Sequence, residues 1–368
     1  MKLLGDILRR NAQALAAKPA VIQGSTRLSY SQVNRRANSL AHGLLKAGIK
    51  KGDRVALLSR NDHRFLELYF GLPKIGAIFV PLNFWSTADD LATVLEQCQA
   101  TVLVVSPDFL DTAEALRPRL PALRHLVLLD DHTPTGLISY EHLARDYPID
   151  EPEADLDPDD DILILYTSGS TGTPKGAVYP HRALLSTATV MSTELGPRET
   201  DVTLHFLPLF ASNLEHLLPL SLIGATHVIL EKFDPPTVWQ TVEQERVTYF
   251  DAAPTIMRLL QCPALSQCDT SSLRLVSYAS EPMPPDTITA WLRALPHVEA
   301  VQFYGMIEFL CITVQKPWEQ LPRLGTVGKP MVGTDLRLVN EEGQDVALGA
   351  VGEVIARSSC AMRGYWSA

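Results

Sequence analysis

A short apolar stretch followed by a loop of small polar residues is the most restrictive feature of this sequence. Residues 162–166 read ILILY and predict a buried strand, and the next ten residues are all Ser, Thr, Gly, Pro or Lys. Gly169, Gly172 and Gly176 let backbone N–H groups converge on one point, the hydroxyl groups add donors, and Lys175 adds a positive charge. This combination predicts a loop that binds a polyphosphate.

Two other interpretations of the loop are weaker. A solvated Ser/Gly linker seldom follows a buried strand directly or ends on a single Pro-Lys-Gly. A P-loop of the NTPase type requires G-x-x-x-x-G-K-[ST], whereas Gly172 is followed here by Thr173 and Pro174. Phosphate binding by a different kind of loop is therefore the favoured prediction.

Length, charge and cysteine usage limit the class of protein. A chain of 368 residues with 46% hydrophobic content can bury a large core, and its formal net charge of -10 argues against a nucleic-acid partner. The N-terminus lacks the pattern of a secretory signal, and the longest apolar stretch, residues 68–82, contains Lys74 and two prolines. We therefore predict a cytoplasmic protein without a membrane span. The five cysteines, which form no C-x-x-C pair, are predicted to be reduced: Cys98, Cys262, Cys268, Cys311 and Cys360.

Alternating helical and strand patterns predict an α/β fold. Residues 54–59, 78–82 and 101–105 are short β-rich runs, and Ser29 is suited to cap the helix that follows it. Residues 150–161 read DEPEADLDPDDD, which is typical of a solvated linker. We predict layered sheets with flanking helices, in four segments: a first α/β subdomain (1–150), an acidic linker (151–161), a second α/β subdomain (162–320) and the start of a small β-rich subdomain (321–368).

The run Y-T-S-G-S-T-G-T-P-K-G closely resembles the signature loop of the adenylate-forming, or AMP-binding, superfamily. That superfamily includes acyl-CoA synthetases, luciferases and the adenylation domains of peptide synthetases. Residues 302–308, QFYGMIE, resemble the family's Q-x-Y-G-M-T-E, and residues 273–284 resemble its Gly-Ala-Glu-Pro segment. The pieces G-E-V-I and R-G-Y-W near the end are similar to the start of its small β-rich subdomain.

The resemblance implies roles for individual residues. Lys175 and Glu308 would be catalytic, the lysine on the leaving pyrophosphate and the glutamate on Mg²⁺ with Thr167 as a partner. Tyr304 would stack on adenine, Gln302 would read the adenine edge, and Gly305 would let the backbone approach the substrate carboxyl group. The predicted ATP-binding residues are Thr167, Ser168, Gly169, Ser170, Thr171, Gly172, Thr173, Lys175, Ser280, Glu281, Pro282, Gln302, Phe303, Tyr304, Gly305, Met306 and Ile307.

The predicted acid-binding residues are mostly apolar or aromatic: Phe210, Asn213, Tyr249, Ala253, Tyr278 and Met306. They offer no evident cation to pair a second carboxylate, which favours a monocarboxylic aromatic or medium-chain aliphatic acid. Ala211 stands where the family has a His, or the amine-binding Asp of amino-acid adenylating domains, so an α-amino acid is disfavoured. Ile307 stands where the family has a Thr that donates to the α-phosphate. Loss of that donor is worth about 1.5–3 kcal/mol and favours a site weakened for adenylation.

The implied reaction is ATP-dependent activation of a carboxylic acid as an acyl adenylate, with release of pyrophosphate and then transfer to CoA. ATP, Mg²⁺ and CoA are the expected cofactors. An enzyme that passes the acyl group to a carrier protein or an amine remains open, because the acceptor is read by a C-terminal domain of the family that lies beyond Ala368. A non-catalytic nucleotide-binding or acyl-adenylate-binding protein is the alternative that Ile307 and Ala211 support, although the complete loop and Glu308 argue against it.

Overall fold

The strands predicted at residues 54–59, 78–82, 101–105 and 162–166 all form, and all four belong to one sheet. The computed structural model describes residues 1–131, 133–167, 174–211 and 214–366. Its strands are β1 Pro19–Gln23, β2 Thr26–Ser29, β3 Arg54–Leu58, β4 Ile78–Pro81, β5 Val102–Val105, β6 His125–Leu128, β7 Ile138–Ser139, β8 Asp161–Tyr166, β9 Gly176–Pro180, β10 Val202–His205, β11 Thr226–Ile229, β12 Tyr249–Ala252, β13 Leu275–Tyr278, β14 Glu299–Tyr304, β15 Thr313–Gln315, β16 Lys329–Pro330, β17 Asp335–Val339, β18 Glu353–Arg357 and β19 Gly364–Tyr365.

Helices flank these strands throughout the described chain. The α-helices are α1 Gly5–Ala14, α2 Tyr30–Lys46, α3 Arg64–Gly71, α4 Ala88–Cys98, α5 Leu110–Leu116, α6 Tyr140–Arg145, α7 His181–Leu195, α8 Leu214–Ile223, α9 Pro235–Gln244, α10 Pro254–Leu260 and α11 Pro285–Ala294. Short 3₁₀ helices cover Leu72–Ile75, Pro107–Phe109, Arg117–Arg119, Pro263–Ser266 and Pro317–Glu319. Ser29 caps α2 as predicted, and its side chain and that of Gln32 form a reciprocal capping box.

The first sheet has the strand order β19-β9-β8-β4-β3-β5-β6-β7. Its pairs from β8 to β7 are parallel, whereas β9 pairs antiparallel with both β8 and β19. Strands β4 and β5 are buried at every residue, as expected where helices cover both faces of a parallel sheet.

The second sheet has the order β16-β15-β14-β13-β12-β10-β11-β1-β2 and is parallel from β14 to β1. Helix α7 packs between the two sheets. Its Leu184 lies in the same core as Leu163 and Tyr179 of the first sheet, whereas its Met191 packs with Tyr249 and Phe303 of the second. Both sheets therefore share a helical layer, and the predicted α/β class of layered sheets with flanking helices is confirmed.

The division between the sheets does not follow the acidic linker. Strand β8 begins at the last residue of the linker, Asp161, and with β9 it joins the first sheet, whereas β1 and β2 precede the linker and join the second. Part of the linker is also anchored: Glu151 contacts the buried Lys74 amine at 2.8 Å and Asp160 contacts Lys51 at 2.6 Å. At these two residues the acidic run is held to the rest of the protein, because each carboxylate forms an ion pair with a lysine. At the other end, β17 and β18 form a separate antiparallel hairpin.

Candidate active site

The predicted phosphate loop connects β8 to β9. Tyr166 pairs with Gly176, and the Thr167 N–H donates to the Lys175 carbonyl at 2.9 Å, which closes the neck of the loop. Ser168, Gly169, Ser170, Thr171, Gly172 and Thr173 lie outside the described residues. Gly176 belongs to β9, where a Cβ atom would meet the Ile164 side chain at 2.6 Å. Close packing within the hairpin therefore explains this glycine, rather than a phosphate contact.

The two predicted catalytic residues meet at a residue that sequence reasoning missed, Tyr365. The Tyr365 hydroxyl donates to Glu308 Oε1 at 2.6 Å, and the Lys175 ammonium lies 5.3 Å from the centre of the same ring. The hydrogen bond to Glu308 raises the pKa of the Tyr365 phenol. The one signal in the sequence that singles out Tyr365 is its place in the R-G-Y-W piece, which the family resemblance associates with the β-rich subdomain and not with the active site.

The motif at residues 302–308 begins on β14 and continues into a tight turn. Leu310 N–H donates to the Met306 carbonyl at 2.6 Å, and the chain returns as β15 antiparallel to β14. A Cβ atom at Gly305 would lie 1.7 Å from the Leu310 carbonyl oxygen. Gly305 is therefore required by the approach of the chain to itself, which is a different reason from the substrate contact that the resemblance implied.

A cavity of about 360 Å³ opens at the carboxyl ends of β13 and β14. Parallel α/β sheets commonly bind ligands at this edge. Eight of the residues predicted to bind the nucleotide or the acid line this cavity: Tyr278, Ser280, Glu281, Pro282, Gln302, Phe303, Tyr304 and Gly305. Lining residues that sequence reasoning missed are Met283, Ile288, Gln315, Gln320, Leu324, Gly325, Thr326 and Val327.

Polar contacts orient the walls of this cavity. The Tyr278 hydroxyl lies 2.5 Å from Gln320 Oε1 and 3.2 Å from Gln302 Oε1, and its single hydrogen can be donated to either of these two acceptors. Burial raises the pKa of Tyr278, which keeps the phenol protonated as a donor. Glu281 accepts from the Thr255 N–H at 2.6 Å and from the Thr255 hydroxyl at 3.0 Å. The carboxylate thus holds the segment around Ser280, whose φ is +78°.

Met306 and Ile307 do not line the cavity. The Met306 side chain is 54% exposed, whereas Ile307 is half-buried and packs against the core beneath the first sheet. The Tyr179 hydroxyl donates to the Ile307 carbonyl. Ile307 is therefore held by its backbone as well as by its side chain.

The residues predicted to bind the acid do not form one described pocket. Phe210 packs edge-on against Phe84 and Trp85, with ring centres 5.3 and 5.8 Å apart, and Trp85 is 69% exposed. Ala253 is half-buried at the start of α10, and Asn213 lies outside the described residues. Tyr278 lines the cavity of the predicted adenine residues. The acid-binding set thus stays a prediction.

Tyr249 belongs to a buried polar cluster that the sequence did not reveal. Its hydroxyl lies 2.7 Å from His216 Nδ1 and 2.6 Å from Ser277 Oγ, which in turn donates to Asp251 Oδ1 at 2.7 Å. Asp251 Oδ1 also lies 3.2 Å from His216 Nε2. Burial raises the pKa of Asp251 to about 7 and lowers that of His216 to about 3. Both groups are therefore predominantly neutral in the native state at mildly acidic pH, and Asp251 begins to ionise as the pH approaches 7.

The described residues fit a metal that takes few protein ligands. No group of three or more His, Cys, Asp or Glu side chains is arranged for metal binding among them. Mg²⁺ is usually bound through one or two carboxylates together with substrate phosphates, and Glu308 beside Lys175 offers such a carboxylate. The partnership of Thr167 with Glu308 stays a prediction. Within the described chain, no helix is both long and apolar enough to cross a bilayer.

Known proteins are similar to this chain over nearly its whole length. A feruloyl-CoA synthase from Amycolatopsis sp. is 35% identical over 99% of this chain and 71% of its own length. The long-chain-fatty-acid–CoA ligase FadD13 of Mycobacterium tuberculosis is 30% identical over 100% of this chain and 72% of its own length. The crystal structure of the N-terminal domain of FACL13 from M. tuberculosis is 28% identical and superposes with a TM-score of 0.92, covering 100% of this chain and 92% of that one.

The family model described as "AMP-binding enzyme" matches residues 8–366. This match confirms the resemblance that rested on the phosphate loop and the motif at residues 302–308, and with it the prediction of an ATP-dependent acid–thiol ligase. The chain belongs to the AMP-binding enzyme family.

Proposed function

We propose that this chain binds ATP and a monocarboxylic acid, joins them as an acyl adenylate with release of pyrophosphate, and passes the acyl group to CoA. The observation that carries the proposal is the convergence of Lys175 and Glu308 on Tyr365, beside a cavity lined by the predicted adenine residues. This arrangement joins a cation from the β8–β9 hairpin of the first sheet to a carboxylate three residues beyond the cavity-lining Gly305 of the second sheet. The cation, the carboxylate and the cavity each match a different part of ATP.

In the proposed reaction, a carboxylate oxygen of the acid attacks the α-phosphorus of ATP and the bond to the pyrophosphate oxygen breaks. The chain contributes by position and electrostatics rather than by covalent chemistry. Lys175 offsets the negative charge that develops on the leaving pyrophosphate. Glu308 would hold Mg²⁺, which when bound neutralises charge on the phosphate oxygens.

The cavity supports adenine as the base. Its walls combine an aromatic ring on Tyr304, which is 37% exposed, with the amides of Gln302 and Gln320. Tyr304 can stack on a purine, and the amides can form hydrogen bonds to its edge. The Tyr278 phenol makes its shorter contact with Gln320 Oε1 and so restrains the Gln320 amide before a nucleotide binds.

The acid is proposed to be an aromatic or medium-chain aliphatic monocarboxylate. The aromatic group formed by the exposed Trp85 and the half-buried Phe84 and Phe210 supports this choice, because it offers apolar area around a predicted acid-binding residue, Phe210. Of the similar proteins, one is named for ferulate, which is an aromatic acid, and another for long-chain fatty acids, which are aliphatic. Transfer to a carrier protein or an amine instead of CoA is the second candidate.

The test is binding of a non-hydrolysable acyl-adenylate mimic to this chain, measured as a thermal shift with a panel of aryl and alkyl acids. A ligand at a hundred times its dissociation constant stabilises the native state by about 2.7 kcal/mol. Val327→Trp should fill the cavity and remove the shift, whereas Val332→Trp, at another exposed valine that lies outside the cavity, should retain it. No shift with any mimic, or loss of the shift in both variants, would contradict the proposed site.

A further inference from the structure

We propose that Tyr365 is a positioning residue that presents the Glu308 carboxylate to Mg²⁺ and keeps the Lys175 ammonium directed at the phosphates. The inference rests on the proposed function, because it assigns a role to a third residue of that same site. Tyr365 belongs to a piece of sequence near the end of the described chain whose contribution to the site was not apparent from its position.

The segment around Tyr365 is bound on both sides by backbone hydrogen bonds. On one side, Arg363 N–H donates to the Val178 carbonyl at 2.8 Å and Trp366 N–H to the Gly176 carbonyl at 2.7 Å. On the other, Met362 N–H donates to the Glu308 carbonyl at 2.9 Å. The segment therefore joins the hairpin that carries the phosphate loop to the turn that carries the metal carboxylate.

The tail of the segment is anchored a third time. Trp366 Nε1 donates to the Gln97 carbonyl at 3.1 Å, and the Arg54 guanidinium lies 5.6 Å from the centre of the Trp366 ring. These contacts reach the far face of the first sheet. Because the backbone is held at residues 362, 363 and 366, the Tyr365 side chain has little freedom to choose another direction.

The Tyr365 side chain contacts both charged groups at once. Its hydroxyl donates to Glu308 Oε1 at 2.6 Å, a length typical of a hydrogen bond to an ionised carboxylate. Its ring faces the Lys175 ammonium at 5.3 Å, within the range of a cation–π contact. The two charged groups thus contact Tyr365 instead of forming a direct ion pair, which would neutralise both and withdraw them from the ligand.

The hydrogen bond to Oε1 also decides how Glu308 meets a metal. A carboxylate held at one oxygen presents the other in a fixed direction, which is how outer-shell partners orient metal ligands. The ring has a separate effect on the lysine, because a cation over an aromatic face retains its charge while its position is restricted. The hydroxyl and the ring of Tyr365 can therefore be tested independently.

The experiment compares Tyr365→Phe and Tyr365→Leu with Arg363→Gln as a matched control. Arg363 lies in the same segment and forms an ion pair with Asp161 at 3.0 Å, away from the two catalytic residues. For each protein, ATP binding is measured by calorimetry in EDTA and then as a function of Mg²⁺ concentration, and the temperature of unfolding is recorded without ligand. Neither reading depends on turnover.

We expect Tyr365→Phe to raise the Mg²⁺ concentration at half effect about tenfold, the scale found when an outer-shell hydrogen bond to a metal ligand is lost. Its affinity for metal-free ATP should stay within about twofold, because the ring under Lys175 remains. Tyr365→Leu should also weaken metal-free ATP binding, and Arg363→Gln should change neither quantity.

An unchanged Mg²⁺ midpoint in Tyr365→Phe would overturn the inference, as would a lower one, which would mean that Tyr365 competes with the metal for Glu308. The same shift in Arg363→Gln would overturn it too, because the effect would then come from the stability of the segment. If the unsubstituted chain bound ATP neither with nor without Mg²⁺, the proposed function itself would fail, which is a different result from either of these.

Discussion

Thr167 and Lys175 are joined by a hydrogen bond of 2.9 Å from the Thr167 N–H to the Lys175 carbonyl. Because the antiparallel pair of Tyr166 and Gly176 continues directly from this bond, the two ends of the phosphate loop leave the sheet side by side. The Lys175 backbone is therefore part of a rigid hairpin, and its side chain extends over the Tyr365 ring. The position of the Lys175 backbone is therefore fixed by its pairing next to β8 and β9 rather than by the phosphate loop between these strands.

Replacement of either catalytic residue should lower adenylation without unfolding the protein. Lys175→Ala removes the positive charge on the leaving pyrophosphate, and Glu308→Gln removes the charge of the metal ligand. Loss of one preorganised electrostatic contact typically costs on the order of a hundredfold in rate. Pyrophosphate exchange measures the effect, with circular dichroism to check the fold and Lys232→Ala, at a surface lysine, as the control. Full exchange activity in both variants would show that the two roles are misassigned.

Ile307→Thr should raise the adenylation rate and lower stability. The threonine would supply the phosphate donor that the family motif has at this position, which corresponds to about a tenfold or larger gain for a charge-assisted hydrogen bond. The half-buried Ile307 packs against the core, so replacement of its ethyl branch by a hydroxyl should cost about 1 kcal/mol of unfolding free energy. Rates and acid affinities of the two proteins, with denaturant unfolding, decide the point. A rate that stays equal or falls would contradict a weakened site.

Gly305→Ala should disrupt the motif turn far more than an ordinary glycine substitution. Its Cβ atom would lie 1.7 Å from the Leu310 carbonyl oxygen, so the turn between β14 and β15 has to move. Gly343→Ala is the control: its φ is +75° with nothing within 4 Å, so the cost is only the left-handed strain of about 1–2 kcal/mol. Urea unfolding and ATP binding should separate the two, since only Gly305→Ala is expected to lose the nucleotide. Equal effects of both substitutions would exclude the steric explanation.

Asp251→Asn should change how stability depends on pH. Burial raises the pKa of Asp251 from 3.8 to about 7, so between these values the native state holds a proton that the unfolded chain has released. The contribution of Asp251 to the free energy of unfolding is therefore fully present below about pH 4 and is lost as the pH rises to about 7. The substitution removes that loss, and each unit of the shift corresponds to about 1.4 kcal/mol.

The measurement is the free energy of unfolding of both proteins at pH 5 and pH 8. The free energy of unfolding of Asp251→Asn, compared with that of the unsubstituted protein, should be higher at pH 8 than at pH 5. The control is Asp155→Asn, at an exposed aspartate. It should change the free energy of unfolding by the same amount at pH 5 and at pH 8. A difference that stays equal or shrinks as the pH rises would contradict a raised pKa of Asp251 in the native state.

Local features of this protein were readable from sequence because they depend on neighbouring residues. Apolar runs of four to six residues predicted β3, β4, β5 and β8, and the Ser29 hydroxyl predicted the start of α2 through its contact with the third residue beyond it. The order of polar and small residues in residues 167–176 and 302–308 was enough to indicate an adenylate-forming enzyme. The family match over residues 8–366 confirms that interpretation.

Only the tertiary structure decided how these local pieces combine. The acidic run at residues 151–161 indicated a boundary, but β8 and β9 pair with strands that precede it, because sheet order is set by buried faces and not by position in the chain. Tyr365 is 57 residues from Glu308 in sequence, and no local pattern records that its hydroxyl and ring serve two catalytic side chains. That contact exists because β19 pairs with β9 at the edge of the first sheet, and edge pairing depends on the shape of the whole fold.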